Sequence, residues 1–137
     1  MDLDDLGTLK VASQIGLPAA QVFKTLCARG DDGAIVFAVV PGDSELDLKV
    51  LARLAAKRSM ELVPIAHLKQ LTGYIRGGVT ALAGKRDYPV YIDDSARSYP
   101  VIAVSAGIRG TQILLTPQDY IRSTTATSGV IARKAAD

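Results

Sequence analysis

Tryptophan is missing from these 137 residues, and only two phenylalanines and five tyrosines stand in for it. So thin an aromatic supply argues against a broad platform on which bases could stack. A single cysteine, Cys27, leaves no internal disulfide to form, and with a single histidine, His67, no Cys/His cluster offers a zinc site. No apolar run approaches the roughly 18 residues that a membrane span needs. The start, Met1-Asp2-Leu3-Asp4-Asp5, is acidic where a secretion signal would be basic and then apolar. These absences point to a cytoplasmic protein with no membrane partner. Charge of one sign is scarce as well: 16 lysines and arginines face 14 acids, a net +2. That is too little to coat duplex nucleic acid non-specifically, yet it leaves room for a local pocket holding one or two phosphates.

What is present is ordinary for a globular chain, with 48% hydrophobic and 22% charged residues. Residues 1–137 read as one domain, long enough for a genuine core. The stretch that organises it is Val22-Phe23-Lys24-Thr25-Leu26-Cys27-Ala28, a cation set among apolar residues. Read as a strand, it puts Lys24 on one face with Leu26 and Ala28, and Thr25, Cys27 and Arg29 on the other. An ammonium ending an apolar row is costly to bury unless it meets an anion or reaches water.

Around that strand the spacing predicts a capped helix from Thr8 to Ile15, ended by Gly16, and a brief helix from Ala19 to about Phe23. Asp31-Asp32-Gly33 is a turn signal, and the continuous apolar run Ala34 to Val40 reads as a central strand paired with the first. Leu46 to Lys57 carries the clearest helical period, with a basic stripe of Lys49, Arg53 and Lys57 on its outer side. A short strand over Met60–Val63, a helix from Pro64 to Leu71, and strands at Pro89–Asp93, 101–105 and 111–115 follow. Thr116-Pro117-Gln118-Asp119 starts a helix, and two short helical pieces are expected at the end. The runs at 34–40, 101–105 and 111–115 are expected in one sheet, with the helix at about 46–57 packed on it. The class is α/β, with a mixed or largely antiparallel sheet and helices around it.

Familiar catalytic frames fail on spacing. Five residues, not four, separate Gly78 from Gly84, and Lys85 is followed by Arg86 instead of Ser or Thr, so this is no phosphate loop. Ser105-Ala106-Gly107 lacks the frame of a nucleophile elbow, and no triad or carboxylate pair stands out. What remains is a lysine, small-residue loops and a few arginines, which fits a binding module or an enzyme whose substrate supplies part of the chemistry.

Several blocks in order then carry a resemblance: V-F-K-T-L (22–26), V-P-G (40–42), L-D-L-K (46–49), T-G-Y-x-x-G-G (72–78), V-Y-I-D (90–93), V-S-A-G-x-R-G (104–110) and I-L-L-T-P-Q-D (113–119). Together they resemble the YbaK/EbsC family of aminoacyl-tRNA deacylases, relatives of the editing domain of prolyl-tRNA synthetase. The resemblance implies a barrel-like sheet core with surrounding helices. It also implies trans-editing of mischarged tRNA, most similar to the branch that hydrolyses cysteinyl-tRNA carrying the proline anticodon. By the same resemblance Lys24 holds the phosphate or terminal adenosine of the acceptor end. Gly77 and Gly78 line the aminoacyl pocket, and Ser105 with Ala106 and Gly107 forms its opposing wall. Phe23, Thr25, Tyr74, Val79, Arg109 and Gln112 complete the substrate-binding set.

No protein nucleophile, metal or cofactor is implied, and the partners are an aminoacyl-tRNA acceptor end and a prolyl-tRNA synthetase. Lys24, Gly77, Gly78 and Ser105 should then converge on one cleft. The chain departs from the family pattern in three places. It starts after a helix and strand that relatives carry, Gln112 stands where an acid is common, and Val79-Thr80-Ala81-Leu82-Ala83 replaces the usual I-S-P-L-G. Without that first strand a sheet edge is left for a homo-oligomer, or another segment of the chain, to cover. A non-catalytic descendant that binds an acceptor end, a nucleotide or a partner protein is the rival reading.

Overall fold

A computed structural model describes residues 16–75, 78–82, 87–108 and 111–134. Its centre is the hairpin of β1 (Phe23–Gly30) and β2 (Ile35–Pro41), antiparallel with Cys27 opposite Phe37. The turn between them works because Gly33 takes φ 85° and Asp32 Oδ1 accepts the Ala34 N–H at 3.1 Å. Strand β2 is apolar without alternation because both its faces are covered. Phe37 and Val39 enter one cluster with Phe23, Cys27, Ile92, Ile102 and Tyr120. Val36, Ala38 and Val40 enter another with Ala28, Leu51, Ala52 and Ile131.

The remaining strands are β3 (Ser44–Leu46), β4 (Met60–Leu62), β5 (Val90–Asp93), β6 (Ile102–Ser105), β7 (Gln112–Leu115), β8 (Thr127–Gly129) and β9 (Ala132–Lys134). The main sheet runs β4-β1-β2-β5-β8. Its β1–β2 and β1–β4 pairs are antiparallel, while β2–β5 and β5–β8 are parallel, so the sheet is mixed. Among the described residues the α-helices are α1 (Leu48–Leu54), α2 (Ile65–Thr72) and α3 (Pro117–Thr124). Each starts or stops where its chemistry says it should. Asp47 caps α1 through the Lys49 and Val50 N–H groups, Thr116 caps α3 through Asp119, and Gly73 ends α2 at φ 80°. As expected, α1 packs on the sheet, through Leu51 and Ala52.

Four expectations are corrected. Strands β6 and β7 do not join the main sheet but form a two-stranded sheet of their own, tied among the described residues to Val22, just before β1, by its parallel bridge to Ala103. The edge of β1 away from β2 is divided: β4 takes Ala28–Gly30, so β6 meets only the start of the strand. The second helical piece at the end is instead β8 and β9. Thr125 turns left-handed at φ 55°, which stops α3, and Asp93 then holds the returning chain by the Ile131 and Ala132 N–H groups. Finally, Ser44–Leu46 is a strand paired with β9, so α1 begins only at Leu48, and Ala19–Gln21 is a single 3-10 turn that stops before Phe23. The helix expected over Thr8–Ile15 lies outside the described residues. No helix among the described residues is long and apolar enough to cross a membrane.

Candidate functional site

Alternation along β1 sends Phe23 and Cys27 into the core cluster that also takes Ile102 and Val104 of β6. Lys24 is thereby committed to the opposite face, as the sequence predicts. Val22, two residues before Lys24, is bridged in parallel to Ala103, two residues before Ser105, and the two pack together. Lys24 and Ser105 therefore follow on one face of neighbouring strands, which run side by side there. On the far side of β6, Gln112 is the register partner of Ser105, and partners across an antiparallel pair project to the same side. Lys24, Ser105 and Gln112 thus fall on one face of three neighbouring strands, with β6 and β7 paired at Ser105–Gln112 and β6 meeting the chain just before β1 at Val22–Ala103.

One end of this row is bounded by the turn after β6. Ser105 is buried, and its Oγ accepts the Gly107 N–H at 3.2 Å. Gly107 sits at φ 93°, and a Cβ there would lie 3.2 Å from Tyr74 Cε1 and 3.5 Å from Thr80 Cγ2. Glycine is needed twice over, for the left-handed backbone and for the approach of the tyrosine ring. The loop that brings Tyr74 is held by Thr72, whose buried Oγ1 donates to Leu68 O at 2.7 Å and accepts the Tyr74 N–H at 3.1 Å. Beyond it, the Gly78 N–H bonds Ile75 O at 2.9 Å, Val79 enters the core, and Thr80 is buried with its Oγ1 accepting from Leu82 N.

The structure thus brings together Lys24, Ser105 and Gln112, and sets Tyr74 against Gly107, with Ala106 following Ser105 in the same turn. Phe23 and Thr25 fall on the core side of β1: Phe23 is buried among apolar residues, and Thr25 stands beside the buried hydroxyl of Tyr120. Burial pushes that phenol well above its ordinary pKa. Gly77 and Arg109 lie outside the described residues. Thr80 escaped the sequence reading; a lone threonine in a loop carries no signal of being buried against a neighbouring turn.

Two alternative nucleophiles are displaced from the row. Cys27 is buried on the opposite face, and burial pushes its thiol up to about 11, with Arg29 only partly opposing the shift. His67 is exposed on α2. Of the expected basic stripe, Lys57 lies past the helix, since α1 ends at Leu54 and Ala56 turns left-handed at φ 58°; it pairs with Asp32 at 2.6 Å and so serves the β1–β2 turn. Among the described residues no three His, Cys, Asp or Glu side chains gather as a metal would need. The row itself carries a cation, a hydroxyl and an amide, while the Ala106 and Gly107 N–H groups of the adjoining turn are spent on Thr111 O and Ser105 Oγ.

Residues 7–123 match the family model described as an aminoacyl-tRNA editing domain. A protein of Enterococcus faecalis named "Putative Cys-tRNA(Pro)/Cys-tRNA(Cys) deacylase EbsC" is 38% identical over 131 residues, which cover 96% of this chain and 80% of that one. A solved structure described as "a putative trans-editing enzyme for prolyl tRNA synthetase" superposes with a TM-score of 0.83 at 23% identity, covering 99% of this chain and 84% of the other. Another, of hypothetical protein APE2540, gives a TM-score of 0.85 at 23% identity over 92% of this chain and 83% of that one. At such identities the two superpositions establish likeness of fold.

Proposed function

Because the chain belongs to the aminoacyl-tRNA editing domain family, we propose that this deacylase acts in trans in the cytoplasm on mischarged tRNA, with a cysteinyl ester on a proline tRNA as its leading substrate. The observation that carries the reading is the row of Lys24, Ser105 and Gln112 on one face, with Cys27 turned away from it. In this reading the Lys24 ammonium holds the phosphate or terminal adenosine of the acceptor end, as a charge-assisted contact to an anion would. Ser105 and the turn after it hold the ester. Water adds to the ester carbonyl, the acyl–oxygen bond breaks, and the ribose oxygen takes a proton as the amino acid leaves. The group that assists the water is the substrate's own, its thiol or the neighbouring ribose hydroxyl, so the mechanism needs neither a metal nor a protein nucleophile.

The test is release of amino acid from a panel of mischarged tRNAs by the wild-type protein and by Lys24→Ala. Release by the wild type, weakened in the variant, supports the reading. Binding of the acceptor end without release would favour the non-catalytic rival. The words attached to the 0.83 structural neighbour make prolyl-tRNA synthetase the first partner to try. Its addition should raise the deacylation rate at low tRNA concentration if it hands over the product it mischarged.

A further inference from the structure

A sheet recruits another chain at its edge strands, and folded proteins guard those edges with charge or cover. Most described edges here are guarded. Strands β3, β4 and β9 carry Glu45, Glu61, Arg133 and Lys134, and Arg97 donates to Ser128 Oγ of β8 at 2.8 Å. Strand β7 differs, for Gln112–Leu115 holds neither a charge nor a proline. Its outer edge also offers backbone groups. The Ala106 N–H donates to Thr111 O at 2.9 Å, and bonded pairs recur at every second position of an antiparallel ladder. Ile113 and Leu115 therefore turn their backbone groups toward β6, while Gln112 and Leu114 turn theirs outward. The side chains of Ile113 and Leu114 are 43% and 57% exposed, although they point to opposite faces. An element laid on one face would cover only one of them. A strand added at the edge covers both and takes up the outward N–H and C=O groups.

We propose that this strand is β7 of a second copy, joined antiparallel about a two-fold axis, so that the protein forms a homodimer through its smaller sheet. Two uncharged strands meet without the repulsion that like charges would bring. A two-fold axis perpendicular to the sheet makes the contact self-complementary and keeps each face with its own kind. Centred on Ile113, the register sets Ile113 against Ile113 of the second copy, and Gln112 against its Leu114. Gln112 and Leu114 then exchange backbone bonds in both directions, and all their outward groups are paired. The joined sheet runs β6-β7-β7-β6, with the Ser105 and Gln112 of both copies on one face. Each row thus ends against Leu114 of the other copy. So short an edge buries less than the roughly 1,200–2,000 Å² of a standard stable interface. The dimer is therefore reversible, forming at high protein concentration and dissociating on dilution.

The test is sedimentation velocity from micromolar to millimolar protein, on the wild type and on Leu114→Lys, which gives β7 the charge that the guarded edges carry. The wild-type mass should rise from one chain toward two, and the variant should stay at one. The register is tested by oxidation of Ile113→Cys. Residues opposed in a non-bonded pair have Cα atoms about 4.5 Å apart, within the span of a disulfide. Ile113→Cys should form a covalent dimer well ahead of Leu62→Cys, which is exposed on β4; the native Cys27 is buried and takes no part. A wild type that stays monomeric throughout overturns the proposal. So does a dimer that persists in Leu114→Lys while Ile113→Cys oxidises no faster than Leu62→Cys, since another surface then forms it. A monomer whose Gln112 and Leu114 amides resist hydrogen exchange assigns the edge to another segment of the same chain, and also overturns it. None of these readouts uses the deacylase activity, so the proposal stands or falls apart from that reading.

Discussion

Lys24 and Cys27 are three residues apart, and that odd number decides their chemistry. Opposite faces of one strand keep the ammonium from lowering the thiol's pKa, and burial instead holds Cys27 protonated, up to about 11. Lys24→Ala should therefore cost about tenfold to a hundredfold in deacylation, the worth of one charge-assisted contact. Cys27→Ala should cost packing but little turnover per folded molecule. Both are read on the same mischarged tRNA, with circular dichroism to count folded protein. Loss confined to Cys27→Ala would reverse the assignment and point to a thiol-dependent hydrolase. The same burial predicts a pH effect. The folded thiol keeps its proton to about 11, against 9.0 for an ordinary one. The unfolded chain therefore ionises first, and stability falls as pH rises from the lower value through the higher. The full shift is worth about 2–3 kcal/mol. Thermal unfolding between pH 8 and 11 should show a steeper alkaline loss in the wild type than in Cys27→Ala, and parallel curves would contradict it.

Elements with a period or a cap were legible in the sequence; elements held only by a distant partner were not. The hairpin of β1 and β2, the helices α1 to α3 and the strands β4 to β7 all have local signals, whether an apolar run, a turn, a proline start or a glycine stop. Strands β3, β8 and β9 have three residues each, too few to show alternation, and what fixes the last of them is Asp93. Its buried carboxylate accepts the Ile131, Ala132 and Ser95 N–H groups at 3.0, 2.8 and 3.1 Å. Nothing in the local sequence announces that anchor. Asp93→Ala should then cost about 2–4 kcal/mol in chemical denaturation, because it leaves buried donors unpaired. Asp93→Asn should cost less, since one oxygen can still serve Ile131 and Ala132. Equal losses in the two variants would mean that the charge, and not the pair of bonds to β9, holds the chain end.

At the scale of the molecule, the candidate site spans a seam. Lys24 belongs to the five-stranded sheet, whereas Ser105 and Gln112 belong to the two-stranded one, and among the described residues the bridge Val22–Ala103 joins the two near the site. Spacing could nominate Lys24 and Ser105 separately. Only the parallel bridge and the Ser105–Gln112 register bring the three into line, and no local pattern encodes a pairing between strands so far apart in sequence. The seam has a consequence for motion. Strand β2 is bonded on both sides and buried on both faces, while Ile113 and Leu114 of β7 are exposed and no described strand pairs with its outer edge. Opening free energies follow such differences in burial and bonding. In hydrogen exchange under native conditions, the β7 amides bonded to β6 should therefore exchange well ahead of those of β2, which should track global unfolding. An acceptor-end ligand bound across the row would bridge the two sheets, so it should slow β7 more than β2. If β7 is as protected as β2 in the free protein, the two sheets open as one unit and the seam carries no independent motion.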